Sequence, residues 1–230
     1  MKPTVLIYFV ALLAGCVSPI NSQKNSATES TTSNTGYPFS EVAKIYDTVL
    51  EGMTAKYFAS YPELDKEHTK PMQAFIAAEY SKEKFVKAMV RDKSLPIFER
   101  ASKDRVFRET KEFKDTLYVV VSVSVSMAKM IIGGERDIYV AKYVEKDPLR
   151  AELFAMAEGE DERQYVSWVS GEVSSEEARK ECGKEYNPEP GDRVYAFCSP
   201  EPTWQDLCGR QGFLVVRNGK IVQVIITLLS

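Results

Sequence analysis

The side chains of this chain that could do chemistry are few and far apart. Its one histidine, His68, lies in Lys66-Glu67-His68-Thr69-Lys70. An imidazole there is a candidate general base, yet its charged neighbours make it read as a solvated loop residue. A single His also leaves Ser-His-Asp triads and the HExxH zinc pattern without material. Ser81-Lys82-Glu83-Lys84 and Ser126-Met127-Ala128-Lys129 each match the SxxK of serine acyltransferases. The companion SDN and KTG motifs are missing, and two matches in one chain show how easily the pattern arises. Ser81 reads better as a helix cap. Glu158-Gly159-Glu160-Asp161-Glu162 offers carboxylates for Ca²⁺ or for a glycosidase-type pair. It lacks EF-hand spacing, and a solvated acidic loop is its ordinary reading. Gly133-Gly134 has neither the GxGxxG nor the Lys-Ser/Thr of a phosphate-binding loop. No catalytic residue, metal site or cofactor is assigned.

The opening residues carry a sharper signal. Lys2 gives a short positive start, Thr4 to Ala14 is mostly apolar, and Leu13-Ala14-Gly15-Cys16 follows. These are the parts of a secretory signal, with an apolar middle too short for the roughly 20 residues that a bilayer requires. Leu13-Ala14-Gly15-Cys16 resembles the lipobox of bacterial lipoproteins, a resemblance that covers the export signal alone. It implies a diacylglycerol on the Cys16 thiol, cleavage before Cys16 by the lipoprotein signal peptidase, and acylation of the new amino terminus. Residues 1–15 are then the signal peptide, and the membrane and the lipoprotein-processing enzymes are partners. Each buried methylene adds about 0.8 kcal/mol, so two or three acyl chains hold where one is marginal. Val17, rather than Asp, after the cysteine implies the outer membrane, facing the periplasm, in a Gram-negative host.

An exported chain meets an oxidising compartment. Besides Cys16 the cysteines are Cys182, Cys198 and Cys208, all within the last fifty residues. One disulfide is expected among them. The Ser199-Pro200-Glu201-Pro202 turn favours Cys198 with Cys208, and Cys182 is the alternative partner. A metal site is the competing reading, but the spacings are not CxxC-like. In Cys208-Gly209-Arg210-Gln211-Gly212 two glycines and a cysteine precede an apolar strand, with Trp204 close by. Trp204, Gly209 and Arg210 are a candidate binding surface, and a pinned turn feeding the last strands is the plainer account.

The elements that must position these residues follow from composition and pattern. The 230 residues are 44% hydrophobic and 27% charged with net charge −3, which becomes −4 once Lys2 leaves with the signal peptide. This is an ordinary globular balance, and it makes nucleic acid and anionic lipid surfaces poor partners. Residues 16–36 are rich in Ser, Thr and Asn and read as a lipidated tether with a typical span of about 25 Å. Val42, Ile45, Tyr46, Val49, Leu50, Met53 and Tyr57 recur at helical spacing and predict a helix over 41–59. Residues 62–70 read as a loop. A second helix starts at Pro71 and continues, or restarts at Ser81, as far as Val90. Residues 97–115 fit helix and strand equally.

From Thr116 to Met127 the apolar residues alternate. Leu117, Val119, Val121, Val123, Val125 and Met127 share one face, and Tyr118, Val120, Ser122, Ser124 and Ser126 the other. That predicts a half-buried strand, a turn at Ile132-Gly133-Gly134-Glu135, and a second strand over Asp137 to Val144. Asp147-Pro148 opens a helix to about Ala157, Gln164 to Val169 reads as a strand, and Ser174-Ser175-Glu176-Glu177 is a capping box. Arg193 to Ser199 is a strand, and Asn218-Gly219 joins the last two strands in a type I′ hairpin. The expected fold is α+β: N-terminal amphipathic helices packed on a mostly antiparallel sheet that ends in a hairpin, all in one domain over 37–230. The helical part covers about 37–115 and the sheet part about 116–230. The expected function is that of a membrane-anchored envelope lipoprotein, a non-catalytic interaction, assembly or ligand-binding module with a possible envelope protein partner. The alternative is an envelope hydrolase acting on cell-wall or lipid material, which would require a deep polar cleft gathering carboxylates from separate elements.

Overall fold

The computed structural model describes residues 38–59, 62–90, 94–205 and 207–230. The proposed signal peptide, Cys16 and the tether lie outside them. The described residues belong to one compact unit, Thr35–Ser230, with an α+β fold. Helix α1 (Phe39–Phe58) buries Val42, Tyr46, Thr54 and Phe58, and the Thr54 hydroxyl donates to Leu50 O (2.7 Å). Helix α2 runs over Pro62–Glu79 with Pro71 inside it. The predicted loop over 62–70 is therefore helix. An internal proline costs about 3 kcal/mol through its missing N–H and ring clash. Met72 and Ile76, both fully buried, offset it by contributing some 1.5–3 kcal/mol each. Helix α3 (Lys82–Met89) is capped by Ser81, whose Oγ accepts from Lys84 N (3.2 Å). That first SxxK match is a helix start, as expected. Residues 97–115 resolve into α4 (Leu95–Lys103), a 3₁₀ turn (Phe107–Glu109) and the first residues of α5.

Helix α5 (Lys111–Tyr139) overturns the two strands and the turn predicted between 116 and 144. Thr110 caps it by accepting from Phe113 N (3.3 Å), and a π-helical turn, Val140–Val144, extends it. The segment is apolar or small at nearly every position, so periods of 2 and 3.6 both fit it. Packing decided between them. The buried stripe is Phe113, Val120, Ser124, Ala128 and Ile132, at helical spacing. Val120 and Ser124 belong to the predicted wet face, and Ser124 is fully buried, whereas Val119 of the predicted dry face is 47% exposed. The Ser124 hydroxyl donates to Val120 O (2.7 Å), so burying it leaves no polar group orphaned. This stripe joins Val42, Tyr46, Phe58, Met72, Ile76 and Phe98 in the helical core.

The sheet begins only at Val169. Before it come α6 (Pro148–Met156), capped by Asp147 Oδ1 accepting from Leu149 N (2.8 Å), and α7 (Glu160–Ser167). The strand predicted over Gln164 to Val169 is thus mostly helix, and the acidic cluster is the entry to α7, where its carboxylates complement the helix dipole. Strands β1 (Val169–Val173), β2 (Arg193–Cys198), β3 (Arg210–Arg217) and β4 (Lys220–Leu229) pair antiparallel in sequence order. Alternation gives the sheet two dry faces. Tyr195, Phe197, Leu214 and Val216 meet Leu153, Tyr165, Val166 and Trp168 of α6, α7 and the α7–β1 turn. Val194, Phe213, Val215 and Ile225 meet Ala178 and Cys182 of α8 (Ser175–Cys182), and Tyr186. Ser174 caps α8 through Glu177 N (3.1 Å). Asn218 and Gly219 both have positive φ (53° and 74°), as a type I′ hairpin requires.

Candidate functional site

The C-terminal half of α5 gathers an unusual amount of buried charge. Two glycines let the neighbouring helices come close. A Cβ on Gly133 would lie 3.3 Å from Met53 Cε of α1, and one on Gly134 2.5 Å from Gln164 Nε2 of α7. The next three residues, Glu135, Arg136 and Asp137, are 9%, 8% and 9% exposed. Arg136 donates from Nε and Nη2 to Asp137 Oδ1 (3.0 and 2.7 Å), and Trp168 Nε1 donates to Oδ2 (2.9 Å). The guanidinium also lies 5.3 Å from the Tyr57 ring centroid. This pair is fully engaged and ties α5 to the start of the sheet.

Glu135 is not engaged in that way. Its Oε2 is buried without a hydrogen-bond partner, and so is Arg163 Nε. Burial lifts the Glu135 carboxyl above the usual range, with Arg163 opposing and Glu79 and Glu160 reinforcing. Burial also holds the Lys142 ammonium below its usual range, assisted by Arg163; its Nζ lies 4.8 Å from the Phe154 ring centroid. Arg163 Nη1 donates to Glu79 Oε2 (3.1 Å). Nearby, His68 Nδ1 and the Tyr139 hydroxyl are 3.1 Å apart. His68 is thus a half-buried helix residue rather than the solvated loop residue expected. Tyr139 packs with Phe75 and Tyr143 at centroid distances of 5.6 and 5.1 Å. Both shifts favour the neutral forms of Glu135 and Lys142, the direction in which functional sites tune an acid and a base. In this structure both lie near Arg163, whose charge opposes the shift of Glu135 and reinforces that of Lys142, and Glu79 acts on both in the opposite sense.

The sequence-predicted surface does come together. Trp204 lies in α9 (Glu201–Gln205), a single turn between β2 and β3, and its Nε1 donates to Ser199 O (3.0 Å). Gly209 sits under that indole so closely that a Cβ would be 2.2 Å from the ring. The Ser199 hydroxyl accepts from Arg210 N (2.8 Å) and bonds the Thr203 hydroxyl (2.7 Å), and Arg210 Nη1 donates to the Tyr165 hydroxyl (2.6 Å). Every polar group named here has an internal partner, which is the signature of a tied corner. Cys182 is buried, Cys198 exposed and Cys208 half-buried, and no disulfide joins any two of them. The favoured Cys198–Cys208 pairing is not formed in this structure; the corner is held by the Ser199 hydrogen bonds instead. A shallow groove of about 220 Å³ runs along the sheet beside Cys198, lined by Ser170, Glu177, Glu181 and Gln211 among others. Among the described residues no three His, Cys, Asp or Glu side chains are placed to hold a metal ion.

The other half of α5 is the feature that sequence reasoning missed. Together with its π-helical turn, α5 is the one described helix long and apolar enough to cross a membrane by length and composition, yet only 28% of its most apolar stretch is buried. Tyr118 is 74% exposed, Val119 47% and Met130 42%. Asp115, Ser122, Ser126 and Lys129 lie exposed on the same side, so this side is mixed rather than lipid-like. Comparison with known proteins finds no matching family model, no matching curated protein and no matching solved structure.

Proposed function

We propose that this chain is a bacterial envelope lipoprotein, held to the membrane through lipid on Cys16 and acting by binding or assembly rather than by catalysis. The observation that supports the binding reading is the solvent-facing side of α5. Tyr118, Val119 and Met130 stand exposed there among Asp115, Ser122, Ser126 and Lys129, a mixed apolar and polar make-up that suits a protein partner better than lipid. The charged cluster on the other half of the same helix is turned inward and serves packing. The anchor rests on Leu13-Ala14-Gly15-Cys16, and Val17 favours the outer membrane, facing the periplasm, in a Gram-negative host. Residues 16–36 would let the folded unit stand off the lipid headgroups.

In-cell cross-linking of the full chain, read by mass spectrometry, tests the binding reading. A defined protein cross-linked through Lys111, Lys114 or Lys129 is the expected result. Adducts confined to glycan or lipid would move the assignment to the hydrolase or small-ligand class. The anchor has its own test. Radiolabelled palmitate should enter the chain, and Cys16→Ala should abolish labelling and leave an uncleaved precursor.

A further inference from the structure

We propose that the exposed side of α5 is the surface through which two copies of this chain pair, antiparallel, with Ser122 at the two-fold axis and Asp115 of each copy opposite Lys129 of the other. The inference deepens the binding reading of α5 and is independent of the lipid anchor.

The argument begins with spacing. Asp115, Ser122 and Lys129 are seven residues apart, two helical turns, so they lie in one row along the helix. Ser122 is the midpoint of that row. An antiparallel partner that places its own Ser122 against this one inverts the row and sets carboxylate against ammonium at both ends, about 21 Å apart. The same inversion sets Tyr118 in the layer of the partner's Ser126, large against small. A two-fold interface must be self-complementary in this manner. A serine at the crossing point lets the backbones approach closely.

The charges are free to take those roles. Asp115 has only a weak helical neighbour, Lys111, at 4.0 Å with both side chains largely exposed. Lys129 is exposed, and no ion pair of it is found among the described residues. A parallel pair would set Asp115 on Asp115 and Lys129 on Lys129, a like-charge arrangement that interfaces avoid. A bilayer surface fits less well, because Asp115 would have to be desolvated with nothing to pair it. The interface is also bounded: beyond Met130 the helix is covered by its own chain.

The test uses the full chain in bacterial membranes, with Cys198→Ser to remove the exposed native thiol. Ser122→Cys should give a disulfide-linked dimer on mild oxidation. Asp115→Cys and Lys129→Cys should each fail alone, yet cross-link to one another when the two variants are co-expressed. Asp115→Lys should lower the dimer fraction of the detergent-solubilised chain about tenfold or more, and Asp115→Lys with Lys129→Asp should restore it. A monomer with no Ser122→Cys product overturns the proposal, and so does cross-linking of Asp115→Cys to itself. If a second cross-linker attached at Ser122→Cys captures a different envelope protein, the dimer is rejected and the binding reading stands. If it captures nothing, both fall.

Discussion

The two halves of α5 invert the usual relation between polarity and burial. Its first half carries Tyr118, Val119 and Met130 and is open to solvent on that side. The half that follows carries Glu135, Arg136 and Asp137 in succession and is enclosed. One helix thus leaves valine in water and takes an ion pair inside. What separates the halves is access. Gly133 and Gly134 let α1 and α7 reach the helix axis, and Trp168 supplies a donor for the second Asp137 oxygen. Hydropathy alone assigns neither half correctly, because burial follows where backbones can approach and where polar groups find partners.

The largest effect should come from breaking the enclosed ion pair. Asp137→Ala leaves Arg136 charged and unpaired in the interior and costs about 3–5 kcal/mol. Urea denaturation should show the midpoint fall with an unchanged slope. Replacing both partners together, Arg136→Met with Asp137→Leu, should cost only about 1–3 kcal/mol, the penalty for the orphaned Trp168 N–H. If the single and double variants cost the same, the enclosed half is not organised around this pair. Ile132→Ala, one turn earlier and fully buried, should cost about 2–5 kcal/mol through lost burial and the cavity left behind.

Local chemistry was legible in the sequence, and the enclosed cluster was not. Ser81, Asp147 and Ser174 are caps as read, the first long helix spans nearly the predicted residues, and Asn218-Gly219 makes the predicted hairpin. Each depends on residues within a few positions of one another. The α5 segment failed because valine alternating with serine satisfies a strand pattern, while the deciding contacts come from α1, more than sixty residues earlier. One signal was there. Leu117 to Ile132 runs sixteen residues without Gly, Pro, Asn or Asp, longer than an ordinary strand of about five or six. The charged cluster was illegible for a related reason. Gly133-Gly134 followed by three charges is turn-like, and only Gln164, Met53 and Trp168, all distant in sequence, make it a buried helix. In the Trp204–Gly209–Arg210 corner, by contrast, the proximity was readable and the plainer account of a tied turn is the one the hydrogen bonds favour.

Two enclosed carboxylates should respond oppositely to pH and sharpen the contrast between the helical and sheet parts. Burial raises the Glu135 pKa, so the folded chain holds that proton more tightly than the unfolded chain. The associated stability is complete below the ordinary carboxylate range and is lost as pH rises through the folded-state value. Glu135→Gln cannot ionise, so its stability relative to the parent should grow over that rise. In the sheet, the Arg217 hydrogen bond holds Asp192 below the usual range, with Arg217 Nε 2.7 Å from Oδ1. Its contribution is present above the ordinary Asp value and is lost as pH falls through the depressed one. Asp192→Asn should therefore cost most near neutrality, and the deficit should close in acid. Thermal unfolding of both variants against pH checks the two signs; parallel curves would reject them.

The smallest effect belongs to the open half and separates an idle surface from a working one. Val119→Ala removes a half-exposed side chain, so in dilute protein it should change stability by no more than about 0.5 kcal/mol. If two copies pair through α5, association stabilises the fold by mass action and the unfolding midpoint rises with protein concentration. Val119→Ala should then reduce that rise while leaving the dilute midpoint alone. A penalty above about 1 kcal/mol at every concentration would instead mean that Val119 is covered by its own chain. The contrast between an open and an enclosed half of α5 would then fail.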